Sequence, residues 1–167
     1  RLVDAGVPVT VFDGIQANPT VANVLAGVEA MGPADRTVVV AVGGGSVMDA
    51  AKMIGAVAVN GGPVEQYDGL DRIPKRMLPM IAVNTTAGTG SDVTRWAVIT
   101  DPARQIKMAI GDENIMPDVA IDDPLLTVGL PPAVTAGTGM DAFTHALEGY
   151  VGKLGTPLTD GLAIQAI

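Results

Sequence analysis

Apolar and polar positions along this chain alternate between two rhythms, short β-branched runs and longer stretches with the spacing of an amphipathic helix. Residues 7–12 (VPVTVF) read as a strand. Asn18-Pro19-Thr20 reads as a turn, with Thr20 capping a helix that runs to about Met31 and stops at Gly32-Pro33. Residues 37–42 (TVVVAV) form a continuous apolar run, as expected of a strand buried on both faces. The alanine- and methionine-rich residues 46–59 predict a helix, ended by Gly61-Gly62-Pro63. A polar connector over 65–76 predicts surface loop with a short helical turn. Strand 80–84 (MIAVN) then opens into the small-residue loop Thr85-Thr86-Ala87-Gly88-Thr89-Gly90-Ser91. Residues 96–100 and 106–110 predict two strands joined by the turn Asp101-Pro102-Ala103-Arg104, and 118–121 a last short strand.

After Leu130-Pro131-Pro132 only helical patterns remain. This order predicts an α/β class: a Rossmann-like, mostly parallel sheet flanked by helices over residues 1–130, then the beginning of an all-helical domain over 131–167. Both ends read as cut. Arg1-Leu2-Val3-Asp4-Ala5-Gly6 has the form of a last helical turn with Gly6 as its stop, and residues 162–167 end inside an apolar-periodic stretch. A fragment is expected.

Composition narrows the classes. Hydrophobic residues make up 48% and charged residues 17%, enough apolar material for a sizeable core. The eight methionines read as core fillers. A formal charge of −8 repels nucleic-acid phosphates, so no nucleic-acid partner is expected. No apolar run reaches the roughly 18 residues of a membrane span, so no membrane partner is expected either. With no cysteine the chain has neither disulfides nor thiolate metal ligands, which suits the cytoplasm.

Three segments can carry chemistry. Gly43-Gly44-Gly45-Ser46 sits between a strand and a helix, where a missing Cβ lets a pyrophosphate approach backbone amides at a helix N-terminus. The same turn is equally a tight strand-to-helix connection, and Ser46 either caps the helix or donates to a phosphate oxygen. The loop 85–91 follows a strand carboxyl end, where ligand crevices form in open α/β sheets; taken alone it reads equally as an ordinary polar loop. Asp141 and His145 lie four apart on a helix and can converge on one ion, with Fe(II), Zn(II) and Mn(II) all suited to such donors. They equally make a solvated stripe with Glu148, while Phe143, Leu147, Tyr150 and Val151 face the core. Asp49 either faces a bound cofactor or pairs with Lys52 one turn on. Lys107, an isolated charge in an apolar strand, either faces solvent or reaches a ribose hydroxyl.

The ordered set GGGSVMDAAK from Gly43, NTTAGTGS from Asn84 and GMDAFTHALE from Gly139 resembles the iron-containing (group III) alcohol dehydrogenases over essentially the whole chain. The branch it resembles holds 1,3-propanediol dehydrogenase, lactaldehyde reductase and the NAD-dependent methanol dehydrogenases. The resemblance implies a nucleotide-binding α/β domain followed by a helical metal-binding domain. It implies that Asn18, Gly44, Gly45, Ser46 and Asp49 line the cofactor's phosphates and ribose. Thr85, Thr86 and Thr89 would contact its adenosine side, and Lys107 with residues 125–129 (Leu125, Thr127 and Gly129 among them) would close on the ribose. Asp141 and His145 would supply half of a four-ligand metal site and act catalytically through the metal. The cofactors so implied are NAD, with NADP open, and Fe2+, with Zn2+ open. The substrate is a small primary alcohol or diol, or the aldehyde in reverse, and the full-length protein is expected to be a homo-oligomer. The isolated fragment is expected to be inactive. Competing readings are a dehydroquinate synthase-like or glycerol dehydrogenase-like member of the same superfamily, and a non-catalytic nucleotide-binding module.

Overall fold

The computed structural model describes residues 2–167, so Arg1 lies outside the described residues. Leu2 to Gly6 make turns whose bonds, Gly6 N–H to Val3 carbonyl and Val7 N–H to Leu2 carbonyl, are the pair that closes a helix in a Schellman motif. Residues 7–12, expected as a strand, form none. A strand needs a neighbour for its amides and carbonyls, and among the described residues none pairs with this segment.

Helix α1 (Val21–Met31) starts at Thr20, whose side chain accepts from the Asn23 amide in a capping box. The strands β1 (Val39–Gly43), β3 (Met80–Asn84) and β6 (Val119–Ile121) form a parallel sheet in the order β1-β3-β6. A second sheet joins β2 (Gly69–Leu70), β5 (Ile106–Gly111) and β4 (Trp96–Asp101), with β4 and β5 an antiparallel hairpin. The expected parallel sheet flanked by helices is thus present, and the hairpin with β2 makes a second sheet beside it. A hairpin closes through a short turn and can leave the parallel stack, whereas parallel neighbours need a crossover. Asp101 builds that turn by accepting from the Ala103 and Arg104 amides and the Arg104 side chain. The two-residue β2 was not foreseen inside the polar connector.

Helix α2 (Gly45–Asn60) runs between the sheets, packing on β1 and β3, on β4 and on α1. Its residues from Ala50 to Val57 are all buried. Its small alanines let both sheets close in on it, and the core gathers around Met48, Met53, Tyr67, Met80, Ile99, Met108 and Ile110.

The run 37–42 was expected to be buried on both faces, and it is not. Ala41 is buried under α2, but Val40 and Val42 on the other face are 49% and 60% exposed. The register continues them across the sheet as two rows, Val40–Ile81–Val119 and Val42–Val83–Ile121. A continuous apolar run shows that a strand can be covered on both sides; whether it is covered depends on other segments.

Helices α3 (Pro132–Val151) and α4 (Pro157–Ala166) pack on each other. Phe143, Leu147, Tyr150 and Val151 were expected to face the core and are exposed, because α4 buries little of α3 beyond Ala146. Near its start α3 rests against loop 85–91. A Cβ on Gly88 (φ 157°) would stand 2.1 Å from the Thr138 carbonyl oxygen, so this contact needs the missing side chain.

Candidate functional site

The carboxyl ends of β1 and β3 deliver the two loops singled out above to the same edge of the parallel sheet, as switch-point geometry requires. After β1, α2 begins with Gly44 as its N-cap and no side-chain cap. Ser46 therefore does not cap the helix; its Oγ accepts the Asn18 N–H at 3.2 Å. The first amides of a 16-residue helix open on the cleft with the positive end of its dipole.

The glycines turn out to serve packing as well as access. A Cβ on Gly44 would come within 2.7 Å of the Thr86 side chain, and one on Gly45 within 2.8 Å of Thr89. The two loops interlock only because these positions are bare. Loop 85–91 is held in turn by Asn84, whose Nδ2 donates to buried Asp92 at 3.0 Å and whose Oδ1 accepts from the Thr86 amide. Burial pushes the Asp92 carboxyl up, and neighbouring Asp122 adds to the rise.

A cleft of about 400 Å³ brings together Asn18, Gly45, Ser46, Asp49, Thr89 and Lys107 with Asp141 and His145. His145 Nε2 lies 3.6 Å from Asp141 Oδ2, so the pair converges on one point beside the phosphate-type loop. Both side chains are about half exposed. A carboxylate oxygen and an imidazole nitrogen on one helix face, open to the cleft, fit half a divalent-metal site. Among the described residues no third carboxylate, cysteine or histidine joins them.

Lys107 projects from the exposed face of β5, and its Nζ donates to Asn18 Oδ1 at 2.8 Å. Asn18 is thus fastened to both walls, and it holds a left-handed backbone (φ 54°). Asp49 faces the cleft with both oxygens engaged, one by Ser91 Oγ and one by the Val98 N–H at 3.0 Å. Burial raises its pKa against those bonds and the nearby Lys52 charge.

A second cavity of about 410 Å³ lies on the other side of loop 85–91 and contains Thr86 and Thr127 from the expected set. Gly44 and Thr85 border neither cavity; the Thr85 amide instead donates to the Gly43 carbonyl at 2.9 Å. Leu125 and Gly129 are exposed and also border neither.

Several wall residues were missed by sequence reasoning: Thr94, Trp96, Val98 and Thr100 in the first cavity, and Asp92, Asp122 and Asp123 in the second. A signal for some of them existed. Trp96, Val98 and Thr100 share one face of β4 while Ala97, Ile99 and Asp101 are buried on the other, the two-residue period of a half-covered strand. Lys52, which entered only as the partner of Asp49 in one of its two readings, is fully buried.

Comparisons with known proteins bear on the family and the fold. Residues 1–124 match the family model described as iron-containing alcohol dehydrogenase, and residues 135–167 match the C-terminal model of the same family. Alcohol dehydrogenase 4 of Schizosaccharomyces pombe is 48% identical over 166 residues, covering 99% of this chain and 39% of the relative. The NAD-dependent methanol dehydrogenase of Bacillus methanolicus is 48% identical over 164 residues, covering 98% of this chain and 43% of the relative. A crystal structure of 1,3-propanediol oxidoreductase superposes with a TM-score of 0.92 at 44% identity, over 98% of this chain and 43% of that one. The chain spans about two fifths of the length of the curated relatives it matches. With the first model covering well over half of its residues, the chain belongs to the iron-containing alcohol dehydrogenase family.

Proposed function

We propose that the full-length protein is a metal-dependent alcohol dehydrogenase passing hydride between a small primary alcohol or diol and NAD, with the aldehyde as substrate in reverse. One observation carries this reading: the helix start at Gly45 and Ser46 and the Asp141/His145 pair open on a single cleft.

In this reading the amides of Gly45 and Ser46 take the pyrophosphate. The Ser46 oxygen already accepts the Asn18 N–H, which leaves its own proton to give to a phosphate oxygen. Lys107 and Asn18 close over the adjoining ribose, and Asp49 stands at the same wall. Thr86 and Thr127 receive the adenosine side in the second cavity. Asp92, Asp122 and Asp123 line that cavity, and their charge disfavours the extra phosphate of NADP, which supports NAD. Asp141 and His145 would hold the ion. When bound, a divalent ion there supplies Lewis acidity toward an alcohol or carbonyl oxygen. Family membership supports iron, although the donor pair suits zinc(II) equally. Trp96 and Val98 give the cleft an apolar wall that limits water.

Residues 131–167 fit the start of a helical metal-binding unit, and residues 1–130 part of the nucleotide-binding one. No described helix is long and apolar enough to cross a membrane. The cysteine-free sequence supports a cytoplasmic home, and the exposed apolar side chains of α3 and of the parallel sheet support burial against more protein, a second copy included.

The test is turnover by the full-length protein. NAD+ reduction with short primary alcohols and diols should be seen, fall to background on metal stripping, return with Fe(II), and be weaker with NADP+. Equal turnover by the stripped protein, or none by an iron-loaded one with any primary alcohol, overturns the reading.

A further inference from the structure

We propose that Lys52, which lies behind the cleft rather than in it, is a positioning residue whose ammonium ties α2 to the opposite cleft wall and so fixes the width of the cofactor site. The proposal rests on the reading that this cleft takes the dinucleotide.

An ammonium has three protons, and Lys52 places all of them: on the Trp96 carbonyl at 2.6 Å, the Thr94 carbonyl at 2.9 Å and Ser91 Oγ at 3.1 Å. One turn earlier on the same helix, Asp49 takes the Ser91 hydroxyl proton with one oxygen and the Val98 N–H with the other. Four wall residues, Ser91, Thr94, Trp96 and Val98, are therefore held by two side chains of α2. The first turn of that helix also carries Gly45 and Ser46. One rigid element thus bears the phosphate end of the site and the struts of its far wall.

Burial makes the charge costly here. The side chain is fully buried. The groups that face it are Asp49 from its own helix and Asp92 from the helical turn Ser91–Val93. Their attraction does not offset burial, which brings the lysine down to about 8. A methionine would fill the same space without desolvating a charge, but it would leave the Thr94 and Trp96 carbonyls and the Ser91 hydroxyl without this donor. A perturbed buried cation adjoining a cleft is the signature of a group kept for its task. Once deprotonated, the amine has two N–H groups for three acceptors and turns a lone pair toward a carbonyl, so the wall slackens.

The experiment uses the full-length iron-loaded protein and NADH as the probe. Dissociation constants are measured by calorimetry between pH 7 and pH 9.5, alongside iron content and the urea unfolding midpoint. Wild type should lose roughly tenfold in NADH affinity across that range, the worth of about one buried hydrogen bond. Lys52→Met should bind weakly at both ends with a flat profile while keeping its iron, and its unfolding midpoint should fall because three buried acceptors lose their donor. Its turnover should suffer through the KM for NAD+ more than through kcat. A Lys52→Met protein with wild-type affinity and slope overturns the proposal, as does a flat wild-type profile. Should Lys52→Met fail to fold, Lys52→Arg keeps its charge through pH 9.5, and a slope as steep as the wild type's again overturns it. If wild type binds no NADH at all, the reading of the cleft itself is what fails.

Discussion

Asp141→Ala or His145→Ala in the full-length protein should leave it nearly free of iron while NADH still binds. The two side chains stand on consecutive turns of α3 with their donor atoms 3.6 Å apart, so each variant removes one of two neighbouring ligands. The imidazole or carboxylate left behind is about half exposed and has no third donor among the described residues to help it. Loss of even an outer-sphere partner of a metal typically costs about 10–100-fold in affinity or activity, so loss of a direct ligand should cost at least ~100-fold in turnover. In the proposed reading the cofactor's phosphates are held by the Gly45 and Ser46 amides and not by these two side chains, so NADH affinity should move by no more than about threefold, under roughly 1 kcal/mol. Elemental analysis and NADH titration on the same preparation check both halves. Full iron occupancy in either variant sinks the assignment.

Gly45→Ala should damage the fold as well as cofactor binding. The added methyl would stand 2.8 Å from Thr89 Cγ2 and 2.9 Å from its Oγ1. Overpacking of this kind costs about 1–3 kcal/mol, and it pushes loop 85–91 away from the helix start. The unfolding midpoint should fall and NADH affinity should fall with it. Thr89→Ser removes the closest methyl, so the double variant should recover part of both losses. A glycine needed only to let phosphate approach would give another pattern: an unchanged midpoint and no rescue. That pattern would remove the packing role assigned to Gly45.

Much of the candidate site was legible because its signals are local. A strand, three glycines and a helix fall within one short stretch, and Asp141 and His145 declare their shared face by spacing alone. What escaped depends on distant segments. Lys52 is three residues from Asp49, and spacing alone shows only that the two can pair; it is buried because β4, more than forty residues on, folds across α2. Residues 7–12 have the alternation of a strand, yet pairing belongs to two segments and no single run carries it. The interlock of Gly44 and Gly45 with Thr86 and Thr89 is likewise invisible until β1 and β3 lie side by side. Leu125 and Gly129 came in through resemblance to a family pattern, and no local rule would have drawn them to the cleft.

The two rows of branched side chains crossing the open face of the parallel sheet bear on how this polypeptide behaves in solution. A charge of −8 holds copies apart when salt is low. At physiological ionic strength that repulsion reaches only about 8 Å, while the hydrocarbon strips remain sticky at contact. Left uncovered, the molecule is a colloid on a salt-controlled balance, dispersed by its electrostatics and clumped by its valines and isoleucines.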